Sequence, residues 1–298
     1  MYEIISDGGC DFSKEEALLN NITVVPFYIS FDQVKHLKEG VDISREEFFK
    51  KLISEKNLFP KTSQPNPQDW LDIMRPKAEA GLDIILVTIS SKLSGSYNSA
   101  QLAAGMLREE FPNCRVVLFD SLNCSVGQGL ILREIIKMRN SGYTLEESTR
   151  LAEEVRASTH IYFTLDTLEY LKRGGRVGPT TALVGGILGL RPILQLVNGE
   201  ISQLDSVRGK KKALQLIEEG IVFALQNDAK NINMSIGHIL NATEAKGFGS
   251  RTEAALGIKL TGSITDVGAA IGTHTGPGAM AFAYCRKLEA LLEKRGAA

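Results

Sequence analysis

Three short segments of this chain crowd hydroxyl side chains beside glycine, amide or thiol neighbours: Lys61-Thr62-Ser63-Gln64-Pro65, Ser90-Ser91-Lys92-Leu93-Ser94-Gly95-Ser96 and Asp120-Ser121-Leu122-Asn123-Cys124-Ser125. All three read as loops where strands of a sheet end, and the second directly precedes a helix starting near Tyr97. In open α/β sheets ligands gather at the carboxyl ends of strands, where a helix start offers unpaired N–H groups and a partial positive charge. An anion is the guest that such loops suit. Hydroxyls ahead of a helix also act as plain caps, but a cap needs only one, and the surplus here singles out Thr62 and Ser94. A fourth segment, Ile271-Gly272-Thr273-His274-Thr275-Gly276-Pro277-Gly278, reads as a glycine-rich loop. Its glycines would let backbone approach a ligand, and His274 is either an incidental turn residue or a donor to a carboxylate or hydroxyl.

Two basic clusters complete the candidates, Lys172-Arg173-Gly174-Gly175-Arg176 and Arg208-Gly209-Lys210-Lys211-Lys212. Lys210 to Lys212 at a helix start read as a solvated face. Arg173, Arg176 and Arg208 have glycine neighbours, and their planar forks suit phosphate or a partner's carboxylates as well as they suit solvent.

The elements that must position these residues are legible as alternation. Apolar runs at Tyr2 to Ser6, Ile22 to Ile29, Asp83 to Ile89 and Arg115 to Asp120 alternate with helical patterns, which predicts a parallel sheet covered by helices. Ser13 to Glu16, Ser44 to Glu47 and Thr144 to Glu147 fit the capping box, and Asn66-Pro67 opens a helix that Pro76 should kink or end. After about Ser158 the pattern changes. His160 to Leu165 reads as a strand, Asn198-Gly199 as the turn of a hairpin between Pro192 to Val197 and Glu200 to Val207, and a helix follows from Lys210 to Gln226. Strands near Asn233 to Ile239 and Lys259 to Thr265, with a helix between, complete a second α+β unit. The expected fold is α/β in two domains: residues 1–158, Rossmann-like with a parallel sheet, and residues 159–298, α+β with a mixed or antiparallel sheet.

Composition narrows the chemistry. The 298 residues carry 34 Lys plus Arg against 35 Asp plus Glu, a net charge of −1 with no footprint for nucleic acid. The four cysteines are scattered, so they are expected reduced and packed, and no secretory signal or membrane-length apolar run appears, which predicts a cytoplasmic protein. Thr180 to Leu190 is the longest weakly polar stretch and is too short to span a bilayer. Phosphate-loop, dinucleotide, zinc-hydrolase, α/β-hydrolase and β-lactamase motifs are all missing, and the four histidines lack ligand spacing. No cofactor and no metal is proposed by the sequence.

Ser6-Asp7, Thr62-Ser63-Gln64-Pro65, Leu93-Ser94-Gly95-Ser96-Tyr97, Leu171-Lys172-Arg173-Gly174-Gly175-Arg176 and Gly272-Thr273-His274-Thr275-Gly276-Pro277-Gly278 occur in this order across nearly the whole chain. Together they resemble the DegV family of bacterial fatty-acid-binding proteins, which includes carrier subunits of fatty acid kinase. Gly8-Gly9 departs from the pattern, since the family tends to carry hydroxyl residues there. The resemblance implies a non-catalytic, cytoplasmic subunit of phospholipid metabolism that holds one long-chain fatty acid, such as palmitate, at the junction of two domains. It implies that Thr62, Ser94 and the Gly95 amide bind the carboxylate with His274 behind them, Ser63 and Ser125 being secondary. Arg173, Arg208 and Arg176 would face a separate kinase subunit or the acyl phosphate, and transient membrane contact stays open. Neutral donors can hold a buried carboxylate without a fixed cation, and burying roughly fifteen methylenes supplies a gross drive of about 12 kcal/mol. The apolar segment Ala182 to Leu190 with Ile193 would line the chain, or the segment would be an ordinary buried helix. Two other readings remain: a hydrolase using His274 as base beside Ser94, and a lipid transporter or sensor without a kinase.

Overall fold

The computed structural model describes residues 2–55, 57–177, 190–260 and 262–296. In its first half the strands are β1 (Tyr2–Asp7), β2 (Thr23–Val25), β3 (Tyr28–Ser30), β4 (Leu37–Lys38), β5 (Lys61–Ser63), β6 (Asp83–Thr88) and β7 (Val116–Asp120). The second half holds β8 (His160–Thr164), β9 (Leu190–Val197), β10 (Glu200–Arg208), β11 (Ile232–His238), β12 (Ile264–Asp266) and β13 (Met280–Arg286). The helices are α1 (Lys14–Leu19), α2 (Arg45–Ser54), α3 (Pro67–Glu79), α4 (Ser96–Glu110), α5 (Ser125–Asn140) and α6 (Leu145–Ala157). They continue with α7 (Glu169–Gly174), α8 (Lys210–Leu225), α9 (Ala242–Leu256), α10 (Ala269–Thr275) and α11 (Leu288–Gly296).

A parallel four-stranded sheet, ordered β2-β1-β6-β7, comes from residues before Ser158, and a mixed six-stranded sheet, β10-β9-β8-β13-β11-β12, from residues after it. Alternation along β1 and β6 explains why helices cover both faces of the first sheet. Ile5, Ile84 and Leu86 point to α3 and α4, while Ile4, Ile85 and Val87 point to α5 and α6. On the second sheet Met280, Phe282 and Tyr284 face α8 and α9, whereas Ala281, Ala283 and Cys285 face inward. The α5 helix is apolar almost all round, and its Leu130, Ile131 and Ile135 share one cluster with Ile85 of the first sheet and Ala283 of the second. All four cysteines are free thiols.

Several local expectations need correction. The run Ile22 to Ile29 is two strands in two sheets: Pro26 offers no N–H, the ladder on β1 ends at Val25, and the chain turns away to form a third, antiparallel sheet, β4-β3-β5. Consequently Lys61 to Ser63 is a strand of that small sheet rather than a loop at the end of the parallel one. Pro76 does not end α3, because it and Asp72, whose carbonyl loses its partner, both face solvent while Leu71, Met74 and Ala78 continue the buried stripe. Of Lys259 to Thr265 only the end is strand. Ser13 caps Glu16 in one direction only, whereas Ser44, Asn66 and Thr144 open complete capping boxes. The hairpin turn is as expected, with Asn198 at φ 51° and Gly199 at φ 83°. The apolar segment from Ala182 lies outside the described residues except for Leu190, which opens β9.

Candidate functional site

Between the two large sheets runs a pocket walled by Phe27, Ile89, Leu93, Ile161, Phe163, Leu165, Leu171, Ile201, Val267, Ala270 and Ala281, with Thr62, Gln64, Ser94, Ser125, Arg176 and His274 as its main polar residues. About 900 Å³ lies between these walls, counting the space at the mouth. The walls are mainly apolar, as an alkyl chain requires. Small side chains on β13 and before it, Ala279 and Ala281, leave this room, while Phe282 turns to the helices and Met280 packs there and also reaches the pocket wall.

Thr62 is fixed by backbone pairing with Ile29. Its Oγ1 lies 2.8 Å from His274 Nε2. His274 stands on the last turn of α10, not in a loop, because the glycine-rich turn begins only at Gly276, with φ 73°. Burial, then the charges of Arg176 and Lys61, push the imidazole down to about 3, so it is neutral at physiological pH. Its Nδ1 is buried without a hydrogen-bond partner, beside Gly174, where a β-carbon would come within 2.2 Å. Orphaned buried N–H groups are rarer than orphaned acceptors, so we assign the proton to Nε2, which donates to Thr62. The Thr62 hydroxyl is then left to donate toward the pocket.

Ser94 precedes α4, accepts from Ser96 N at 3.2 Å, and keeps its own proton for the pocket. Gly95 caps that helix beneath the Gln64 amide, which a β-carbon there would meet at 3.1 Å. The loop is tied down from below by Asp7, fully buried, which accepts from Ser96 Oγ at 2.6 Å, Ile89 N at 3.0 Å, Gly9 N at 3.1 Å and Gln128 Nε2 at 3.0 Å. Burial raises its proton affinity and these donors pull it back. Gly9 has no room for a side chain, since a β-carbon would sit 2.9 Å from Ile89, whereas at Gly8 it would meet Phe27 at an ordinary 3.5 Å.

Arg176 is a residue whose place differs from expectation. It lines the pocket, with Nε donating to Leu93 O at 3.1 Å and Nη1 to Gly174 O at 2.5 Å. The polar end therefore has a fixed cation after all. Arg173 points elsewhere, stacked 3.8 Å from the Phe59 ring centroid and paired with Glu169, while Arg208 is exposed at the end of β10. Ser63 lies opposite Tyr28 on the small sheet, outside the pocket wall. Ser125 is in the wall, but it donates its proton to the buried carboxylate of Asp11. Thus Thr62, Ser94, Gly95, His274 and Arg176 are brought together; Ser63, Arg173 and Arg208 are not. Gln64 and Asp11 were missed: the first lay unremarked in a quoted motif, and the second has no local signal, being defined by contacts with Ser125 and Gly268.

Asp11 has a measurable cost. Burial, opposed chiefly by Arg45, raises its carboxyl to about 6. The folded state thus holds this proton more tightly than the unfolded chain, so its ionisation between about pH 4 and 6 costs the fold about 3 kcal/mol. Stability from this group is present at low pH and lost as pH rises through 6. Asp11→Asn keeps an acceptor for Gly268 and a partner for Ser125, and is expected to raise stability at neutral pH by about 1–3 kcal/mol with little change near pH 4. Urea midpoints at the two pH values check this.

Among the described residues, no helix is long and apolar enough to cross a membrane, and no group of three or more His, Cys, Asp or Glu could hold a metal ion. A DegV family model, described as an uncharacterised protein family, matches residues 1–287. This chain belongs to the DegV family. A DegV domain-containing protein of Caldanaerobacter subterraneus is 33% identical to it over 282 residues, 93% of this chain and 95% of that one. A stearic acid-binding protein from Eubacterium ventriosum superposes on the DegV fold seen here with a TM-score of 0.92 at 32% identity, covering 97% of this chain and all of the other. A DegV family protein from Thermus thermophilus, described by its fatty acid binding, gives 0.83 at 30% identity over 96% of this chain and 99% of the other.

Proposed function

We propose that this protein is a cytoplasmic, non-catalytic carrier that binds one long-chain fatty acid and presents its carboxylate to a separate kinase for acyl-phosphate formation. The observation that carries this reading is a largely apolar pocket whose wall holds both the Thr62 and Ser94 hydroxyls, Thr62 bonded to His274, with Arg176 beside them. A buried carboxylate needs several donors to replace its water, and a charge-assisted hydrogen bond is about twice as strong as a neutral one. The fatty acids held by the Eubacterium and Thermus relatives support the same ligand class here. In this reading Arg173 and Arg208, exposed and outside the pocket, face the kinase.

The hydrolase alternative is disfavoured on chemistry. A general base needs appreciable proton affinity and a partner to hold its second nitrogen, but His274 titrates near 3 and its Nδ1 faces Gly174.

Mass spectrometry of the denatured, purified protein is expected to show one long-chain fatty acid per chain. A protein that comes out empty, and takes up no palmitate when offered, refutes the carrier reading. With a fatty acid kinase subunit and ATP, Arg173→Ala and Arg208→Ala are expected to keep the lipid and lose its phosphorylation. Normal phosphorylation would remove these residues from the partner surface and leave lipid binding untouched.

A further inference from the structure

Strand β5 ends at Ser63, and extended backbone there turns Thr62 and Gln64 to one side and Ser63 to the other. Thr62 and Gln64 accordingly both stand in the pocket wall. Their surroundings differ. Thr62 is bonded to His274, whereas Gln64 is exposed, so its amide meets the pocket from the solvent side.

Gly95 shows where that amide lies. Its φ of −74° and ψ of 6° are open to any residue, so backbone conformation does not call for glycine. Space does. A β-carbon there would stand 3.1 Å from Gln64 Nε2, 3.3 Å from its Cδ and 3.7 Å from its Oε1. The amide therefore rests on the residue that follows Ser94 and caps α4, and Gln64 joins the two segments that carry the Thr62 and Ser94 hydroxyls.

Other polar groups of the wall are already engaged. Ser125 donates to Asp11, Thr275 Oγ1 donates to Ile271 O at 3.0 Å, and Arg176 donates to the carbonyls of Leu93 and Gly174. Among the described residues the Gln64 amide has no hydrogen-bond partner, and it carries two N–H donors.

We propose that Gln64 is a further head-group residue of this pocket, whose amide donates to the same carboxylate as Thr62 and Ser94 and sharpens the preference for an acid over a neutral head group. A hydrogen bond to an ionised acceptor is about twice as strong as one between neutral groups, so an acid gains more from this amide than an alcohol does. The proposal rests on the fatty acid reading above.

Competition of hexadecanoate and of hexadecanol against a fluorescent fatty acid tests it. Gln64→Met keeps the length and removes both donors; it is expected to weaken hexadecanoate by about tenfold and hexadecanol by about threefold or less. Gln64→Glu keeps the shape and sets a carboxylate against the ligand's own; it is expected to narrow the preference for the acid by about tenfold or more at low salt, and by less as salt is added. A side chain that only packs on Gly95 would tolerate the glutamate, and one that only meets water would tolerate both changes. Gln64 is exposed, so both variants are expected to fold, with unfolding midpoints like that of the wild type. Undiminished hexadecanoate affinity in Gln64→Met overturns the proposal, as does an equal loss of both ligands or an unchanged acid preference in Gln64→Glu. If hexadecanoate does not bind the wild type, the fatty acid reading falls and the proposal with it; normal binding with variants that discriminate as the wild type does sinks the proposal alone.

Discussion

Thr62→Val is expected to weaken fatty acid binding by about 10- to 100-fold, since a hydrogen bond to a charged group contributes about 1.5–3 kcal/mol and valine keeps the shape without the hydroxyl. The same change strips His274 Nε2 of its 2.8 Å partner, leaving a buried N–H, so thermal stability should fall as well, by about 1–3 kcal/mol. Ser94→Ala should give a comparable loss of affinity and a stability loss of its own, because it strips the N–H of buried Ser96 of its 3.2 Å acceptor. The double variant should lose less than the sum, since both hydroxyls serve one carboxylate. Competition binding and thermal unfolding of all three proteins check this. Full affinity in Thr62→Val would place the carboxylate elsewhere.

Gly174→Ala carries the second large effect, and it reaches the ligand without touching it. Gly174 closes α7 with ordinary helical backbone, so alanine meets no conformational penalty there. The obstacle is the His274 ring, whose Nδ1, Cε1 and Cγ would stand 2.2, 3.0 and 3.3 Å from the new carbon. The ring must leave, and its bond to Thr62 goes with it. A destabilisation of about 1–3 kcal/mol is expected, typical of an overfilled interior, with an affinity loss like that of Thr62→Val. Adding Gly174→Ala to His274→Ala should cost almost nothing further, because the space is then open. Gly175 is the contrast. At φ 70° with nothing within 4 Å, alanine there meets backbone strain of about 1–2 kcal/mol and should leave the ligand held as before. Unfolding midpoints and fatty acid affinities of the four variants separate the two causes.

How much of this was legible in the sequence depends on how local each signal was. The strands of the parallel sheet, the Asn198-Gly199 hairpin and the capped helix starts stood out because alternation, turn chemistry and caps act within a few residues. The break at Pro26 was equally local and was overrun by the apolar pattern on either side. β13 was missed although Ala279-Met280-Ala281-Phe282-Ala283-Tyr284 alternates small and large with period two. Alanine carries little strand preference, and its meaning appears only once the inward face is known to border a pocket. At the site, Thr62, Ser94 and His274 could be proposed from composition and family pattern. That Arg176 turns in while Arg173 turns out could not, because the choice is made by the carbonyls of Leu93 and Gly174 and by the Phe59 ring. Nor could the commitment of Ser125, which depends on a partner 114 positions away.

The place of α5 bears on how any guest gets in. Its flanks belong at once to both large sheets, through Leu130, Ile131 and Ile135. Prising the halves apart like the jaws of a vice would wet these side chains and their neighbours together, at about 1.5–3 kcal/mol apiece, soon approaching the whole stability of a typical protein. A guest is therefore expected to enter at the rim, past a few residues around the mouth, with the wedge between the jaws left shut.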